Sequence, residues 1–145
     1  MNPSSDLVEL SELAAVCARD LRDPIAQAES MALETLEEGS SLLFCGNGGS
    51  AADAQHLAAE YVIRFKRTRG PLRALALTTD TSVLTAGAND FSFADVFARL
   101  RQEVDLALVI PTETVARAQE LHLAIGHAIC ERVDRHFAEG SGGSS

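Results

Sequence analysis

The chain has 145 residues, 46% of them hydrophobic, which is enough to bury the core of one domain. Its net charge of −9 argues against binding to nucleic acid or to an anionic membrane surface. No apolar run reaches membrane-spanning length, and the N-terminus lacks a signal-peptide pattern. The three cysteines are widely spaced, which predicts reduced thiols in a cytoplasmic protein and no disulfide framework.

The N-terminal part, residues 5–39, is predicted to be helical. Ile25, Ala28, Ala32 and Leu36 follow the helical period and form an apolar stripe on its second helix. Gly39 is placed to end that helix.

Strands and helices alternate along the rest of the chain. Three short apolar runs are predicted strands, at 41–45, 73–78 and 105–110. Helices are predicted at 50–65, at 81–88, at 93–103 and from Thr112 or Thr114 to about Phe137. This order predicts one α/β domain over residues 1–139, with a short, mostly parallel sheet between two helical layers. Residues 140–145 are predicted to be a flexible Gly/Ser tail.

A glycine-rich loop joins the first predicted strand to the helix that follows it. It reads Gly-Asn-Gly-Gly-Ser over residues 46–50. A loop of this kind at a helix N-terminus can hold a phosphate through backbone N–H groups; the alternative is a simple strand-to-helix turn. His56 and Glu60 follow four residues apart on one helix face. An isolated pair with this spacing would ordinarily be an exposed pair without function.

Three blocks of sequence resemble the phosphosugar-isomerase (SIS) domain family and, within it, the phosphoheptose isomerases. They are Cys45–Glu60, Leu75–Arg99 and Arg117–His127. The resemblance implies a three-layer α/β/α SIS-like fold. It also implies an aldose–ketose isomerase that interconverts sedoheptulose 7-phosphate and D-glycero-D-manno-heptose 7-phosphate, supplying heptose for surface polysaccharide. The family is typically tetrameric, and a homo-oligomer, tetramer or dimer, is expected here.

The resemblance also assigns roles to individual residues. Zinc is bound in the family at the positions that match His56, Glu60, Gln119 and His127, and Glu60 and His127 match the acid–base pair. The last helix is therefore expected to dock against the loop-bearing helix. Substrate contacts are expected from the loop and the residues near it, namely Gly46, Asn47, Gly48, Gly49, Ser50, Glu60, Thr79, Asp80 and Gln119.

One segment of the family pattern has no counterpart in this chain. After Arg99, family members continue with a strand, a serine-rich second phosphate loop, a helix, a further strand and a helix. Here Leu100–Val104 runs almost directly into the next predicted strand. About fifty residues, two strand–helix units at usual lengths, are missing. Turnover is therefore expected to be impaired.

Two other functions remain open at this point. One is a non-catalytic SIS-domain protein that binds phosphosugars or associates with a replication initiator. The other is an engineered, inactive truncated scaffold. The non-catalytic relatives tend to lack the acidic residue and the histidine that match Glu60 and His127, so the presence of both favours the enzyme.

Overall fold

The computed structural model describes residues 3–78, 85, 88–90 and 105–140. The helices and strands labelled in these residues are, in chain order, α1 Pro3–Asp20, α2 Arg22–Glu37, β1 Leu42–Phe44, α3 Gly49–Val62, β2 Ala74–Ala76 and α4 Val115–Gly140. Among these helices, none has the length and apolar character needed to cross a membrane.

The N-terminal part is helical, as predicted for residues 5–39. α1 and α2 are almost continuous, since only Leu21 separates them. Ala32 and Leu36 of the predicted apolar stripe are buried. Gly39 ends the segment with a positive φ of 74°, and its N–H donates to the Leu36 carbonyl at 3.1 Å. A left-handed residue at this place is the usual way to stop a helix.

The sheet is short and parallel, as predicted. β1 pairs with β2 so that Leu42 lies opposite Ala74 and Phe44 opposite Ala76. Both strands lie within their predicted ranges but are shorter, at three residues each. Alternate residues turn to opposite faces, so Leu42, Phe44 and Ala74 pack on the core.

The predicted third strand at 105–110 was wrong, because residues 106–110 belong to no strand. Their burial still alternates as in a strand. Leu106 and Leu108 line a cavity of about 310 Å³ together with Leu42 of β1 and residues of α2. Ile110 is held by packing with Cys17 and Leu121. The segment therefore has side-chain anchors without the backbone ladder that a strand requires.

α4 provides the support on which α2 and α3 pack. It begins after Thr114, one of the two predicted start positions, whose carbonyl accepts the Ala118 N–H at 3.0 Å. Gly140, predicted to open the flexible tail, is instead the last residue of α4. The main buried cluster joins the three helices through Ala32, Leu36, Tyr61, Cys130 and Val133. This packing sets the half of α4 that carries His127 against the helix that carries His56 and Glu60.

Several predictions fall largely outside the described residues. Of the predicted helix 81–88, residues 85 and 88 are described and both are helical. The predicted helix 93–103 and tail residues 141–145 lie outside the described part of the chain.

Candidate active site

The glycine-rich loop makes a tight connection between β1 and α3. Gly48 precedes the helix with φ 56° and ψ −122°, a conformation that side chains disfavour. A Cβ on Gly46 would lie 2.5 Å from the Ser50 carbonyl oxygen, so only glycine allows the chain to fold back this closely. Asn47, Gly48 and Gly49 are exposed. The N-terminus of α3 is thus open to an anion from solvent.

Three of the four predicted metal-ligating side chains converge below this loop. His56 Nε2 lies 3.1 Å from His127 Nε2. Glu60 Oε1 lies 3.4 Å from His56 Nε2, and Glu60 Oε2 lies 3.5 Å from His127 Nε2. We call His56, Glu60 and His127 the triad. Two of its members come from α3 and the third from α4, so the α3–α4 packing assembles it.

The triad has the dimensions of a metal site. Nitrogen ligands 2.0–2.1 Å from a tetrahedral Zn²⁺ lie about 3.3–3.4 Å from one another, close to the separations of the three groups. Their ligand atoms all lie within 4.8 Å of one another. Glu60 Oε2 is also buried without a hydrogen-bond partner among the described residues. A buried carboxylate oxygen without a donor is costly, and a cation would relieve that cost.

Gln119, the fourth predicted ligand, lies at the loop end of the site. Its Nε2 donates to Ser50 Oγ at 3.5 Å, at the limit of a hydrogen bond. Its amide also occupies the space beside Gly49, where an added Cβ would come within 2.9 Å of Oε1. The structure therefore places the Gln119 side chain of α4 against the glycine-rich loop.

Aromatic contacts hold the imidazole of His127. The Phe65 ring stacks on it with 5.6 Å between centroids and 15° between planes. The His56 ring meets it edge-on, with centroids 5.3 Å apart. With one face covered and one edge occupied, the His127 ring has little freedom to turn away from Glu60.

The loop that follows α3 carries Lys66, Arg67 and Arg69, a composition that predicts a basic, exposed loop over residues 66–71, and for Arg69 this prediction is wrong. The Arg69 side chain is only 1% exposed, and its Nε donates to Asp134 Oδ1 at 2.9 Å. Asp134 is itself fully buried. A sequence signal existed, because Asp134 follows Cys130 by one helical turn on the apolar face of α4.

Two titratable groups behind the triad stay protonated near neutral pH. Burial, followed by the negative charge of Glu60, raises the pKa of the Cys130 thiol to about 12. Burial also raises the pKa of the Tyr61 hydroxyl, with a further contribution from Cys130. Neither group is suited to proton transfer at neutral pH.

Thr79 and Asp80, both predicted substrate contacts, lie outside the described residues. The residue before them, Thr78, is described and contacts α3. Its Oγ1 donates to the Ala51 carbonyl at 3.5 Å and accepts from Gln55 Nε2 at 3.4 Å. Thr78, the residue that directly precedes Thr79, therefore lies beside the helix that carries His56 and Glu60.

Comparison with known proteins connects the chain to a family. The sequence profile of the SIS domain matches residues 8–114. A phosphoheptose isomerase of Paramagnetospirillum magneticum is 37% identical, over 88% of this chain and 92% of its own length. One from Roseiflexus is 39% identical, over 79% of this chain and 82% of its own. The solved structure of the Neisseria gonorrhoeae phosphoheptose isomerase superposes with a TM-score of 0.75, at 28% identity, over 91% of this chain and 96% of that one.

The alignments also show that the chain lacks an internal stretch. The first of them runs over 176 residues, whereas the chain has 145 in all. Since 88% of the chain is about 128 residues, about 48 aligned positions have no residue here. The missing length agrees with the roughly fifty residues expected for two strand–helix units.

Proposed function

The chain belongs to the phosphoheptose isomerases of the SIS domain family, and on that basis we propose that it interconverts sedoheptulose 7-phosphate and D-glycero-D-manno-heptose 7-phosphate. The observation that carries the proposal is the convergence of His56, Glu60 and His127 beside an open glycine loop. Phosphate anchor and acid–base groups then lie on one helix and its neighbour. The product would be a heptose precursor of lipopolysaccharide, made in the cytoplasm.

We assign the phosphate to the glycine loop. The backbone of residues 46–50 and the Ser50 hydroxyl would bind it, where the partial positive charge of the α3 N-terminus favours an anion. Gln119 contacts Ser50 and would orient it. Thr79 and Asp80 are assigned to the sugar hydroxyls, as the family resemblance implies.

Zinc is the metal that the donor set suits best. His56, Glu60 and His127 would hold it, since two imidazoles and a carboxylate are a common zinc set. Gln119 is assigned as a fourth ligand on the family resemblance. A bound zinc ion would polarise the substrate carbonyl.

Glu60 and His127 would move the protons. An aldose–ketose isomerisation transfers one proton between C1 and C2 and another between the oxygens on those carbons. We assign the carbon-bound proton to the Glu60 carboxylate and the oxygen-bound proton to the His127 imidazole. Glu60 Oε2 and His127 Nε2 lie 3.5 Å apart, so both groups face the same small volume.

A non-catalytic SIS-domain role is not favoured. The relatives reported above are isomerases, and this chain keeps both members of the acid–base pair. Whether the chain is an inactive scaffold is tested by the assay of substrate conversion.

The test is conversion of sedoheptulose 7-phosphate at high enzyme concentration, with and without added zinc. We expect slow conversion that zinc stimulates and that Glu60→Gln lowers by about a hundredfold or more, the usual contribution of a general base. Glu12→Gln, at an exposed position of α1, is the matched control and should convert at the parent rate. Conversion that is absent, or that Glu60→Gln leaves unchanged, would overturn the proposal.

A further inference from the structure

Arg69 makes four hydrogen bonds from a buried position. Besides Asp134, its guanidinium donates to the carbonyl oxygens of Glu60 at 2.9 Å, Tyr61 at 2.8 Å and Gly70 at 3.0 Å. Its side chain is 1% exposed. One planar fork thus satisfies a carboxylate and three backbone carbonyls, an arrangement that the single ammonium of a lysine cannot reproduce.

Two of these carbonyls belong to the last turn of α3. The final carbonyls of a helix have no partner within the helix, and last turns fray unless something binds them. Glu60 stands two residues before the end of α3 at Val62. The position of its carboxylate therefore depends on how firmly the last turn is held.

Asp134 connects Arg69 to α4, the helix that carries His127. It follows His127 by seven residues on α4, two helical turns, so the two side chains project from the same side. Its Oδ2 also accepts the backbone N–H groups of Arg67 at 2.8 Å and Lys66 at 3.2 Å. The segment that includes Phe65, which stacks on His127, is thereby fixed to α4.

We propose that Arg69, anchored by Asp134, is a positioning residue that holds Glu60 in register with His127 for metal binding. It touches neither ligand group, and it acts through the Glu60 carbonyl and the α3–α4 contact. The inference rests on the proposed function, because it requires the triad to bind a metal.

Cobalt(II) affinity, followed by the visible absorption of the bound ion, tests the proposal without any assay of turnover. We expect Arg69→Lys to weaken Co²⁺ binding about tenfold or more, the usual effect of losing a residue that orients a metal ligand. The substitution keeps the positive charge beside Asp134, so the buried carboxylate stays paired and the variant should fold. Circular dichroism of each variant checks that it does.

Arg67→Lys is the matched control. Arg67 lies in the same loop and pairs with Glu131 at 2.7 Å and with Asp134 at 3.7 Å, contacts that a lysine can retain, but it donates to no carbonyl of α3. The Arg67→Lys substitution should leave Co²⁺ affinity unchanged. If Arg69→Lys does not fold, Asp134→Asn replaces it, because asparagine can still accept the two loop N–H groups while losing the charge that holds Arg69; it too should weaken Co²⁺ binding.

The outcomes separate this inference from the proposed function. A parent protein that binds no Co²⁺ contradicts the metal site and with it the positioning role, whereas the isomerase proposal is decided by the conversion assay. A parent that binds Co²⁺ with the same affinity as a folded Arg69→Lys or Asp134→Asn variant overturns the positioning role alone. An equal loss in Arg67→Lys would also overturn it, because the effect would then belong to loop charge in general.

Discussion

At the level of single residues, Glu60 is the side chain with the most demanding surroundings in the site. Its carboxylate faces two imidazoles, one oxygen is buried without a donor among the described residues, and its carbonyl is bound by Arg69. A buried carboxylate oxygen that lacks a hydrogen-bond donor is costly to the folded state. Such local cost is typical of residues kept for chemistry and not for stability.

Glu131 shows the opposite case, a carboxylate that favours the folded state. Hydrogen bonds from Lys66 and Arg67 lower its pKa from 4.5 to about 2. A group whose pKa is lower in the folded state stabilises the protein above its unfolded pKa, and this contribution is lost as the pH falls through the folded value. The Glu131 contribution should therefore be complete above about pH 4.5 and lost towards pH 2.

We predict that Glu131→Gln is less stable than the parent at pH 6 and that the difference vanishes near pH 2. Urea unfolding at a series of pH values measures the difference in unfolding free energy between the two proteins. Glu12→Gln serves as the control, because Glu12 is exposed and forms no ion pair among the described residues. A difference that stays constant from pH 6 to pH 2 would show that the Lys66 and Arg67 contacts do not depend on the carboxylate charge.

At the level of elements, the glycine loop couples β1 to the start of α3. We predict that Gly46→Ala destabilises the protein by about 1–3 kcal/mol, the usual cost of forcing an extra group into a packed position. The added Cβ would meet the Ser50 backbone 2.5 Å away, so the helix start has to move. The thermal midpoint of unfolding should fall, and the affinity of the loop for inorganic phosphate should fall with it.

Gly70→Ala provides the comparison for that experiment. A Cβ at Gly70 would have no atom within 4 Å, and its φ is not positive. It should leave both the thermal midpoint and phosphate binding near the parent values. If Gly46→Ala behaves in the same way, the loop tolerates a side chain and its tight geometry does not serve phosphate binding.

The segment 106–110 shows which features of a strand can be predicted from local sequence and which cannot. Its apolar alternation is a local property, and the burial pattern follows it. Pairing is not local, because a strand needs a neighbouring edge within hydrogen-bonding distance. Leu106 and Leu108 instead line a cavity together with Leu42 of β1 and residues of α2. Among the described residues, side-chain packing and not a backbone ladder therefore holds this strand-like sequence.

At the level of the whole molecule, exposed apolar side chains favour self-association. Leu7 and Val8 of α1 are 69% and 55% exposed, and the outer face of the sheet carries Leu43 and Leu75 at 60% and 57%. We predict a dimer or tetramer that uses the N-terminal helices. Sedimentation equilibrium at micromolar concentration measures this, and Leu7→Glu should shift the distribution towards monomer. A parent protein that sediments as a monomer would contradict the prediction.

The missing internal stretch should limit turnover. The family resemblance implies a second phosphate loop that has no counterpart in this sequence; without it the substrate would sit loosely, and a displacement of about 1 Å can lower a rate about a hundredfold. We therefore predict a kcat/KM at least about a hundredfold below that of a full-length phosphoheptose isomerase measured in parallel. Equal turnover, abolished by Glu60→Gln, would show that another segment or subunit supplies the second set of phosphate contacts.

The sequence by itself determined the features that a few neighbouring residues encode. The loop of residues 46–50, the shared helix face of His56 and Glu60, and the positions of β1 and β2 all follow from short-range spacing and glycine geometry. The placement of His127 opposite them was expected only from resemblance to a family, since no periodicity relates residues 71 positions apart.

Only the tertiary structure decided how these parts meet. It buried Arg69 against Asp134, stacked Phe65 on His127, placed Gln119 on the loop and left residues 106–110 outside the sheet. The first three depend on how α4 packs against α3, which is set by burial summed over many distant side chains. Local sequence patterns cannot predict this packing. A basic loop or an apolar run has the same sequence pattern whether or not a partner surface lies beside it in the fold.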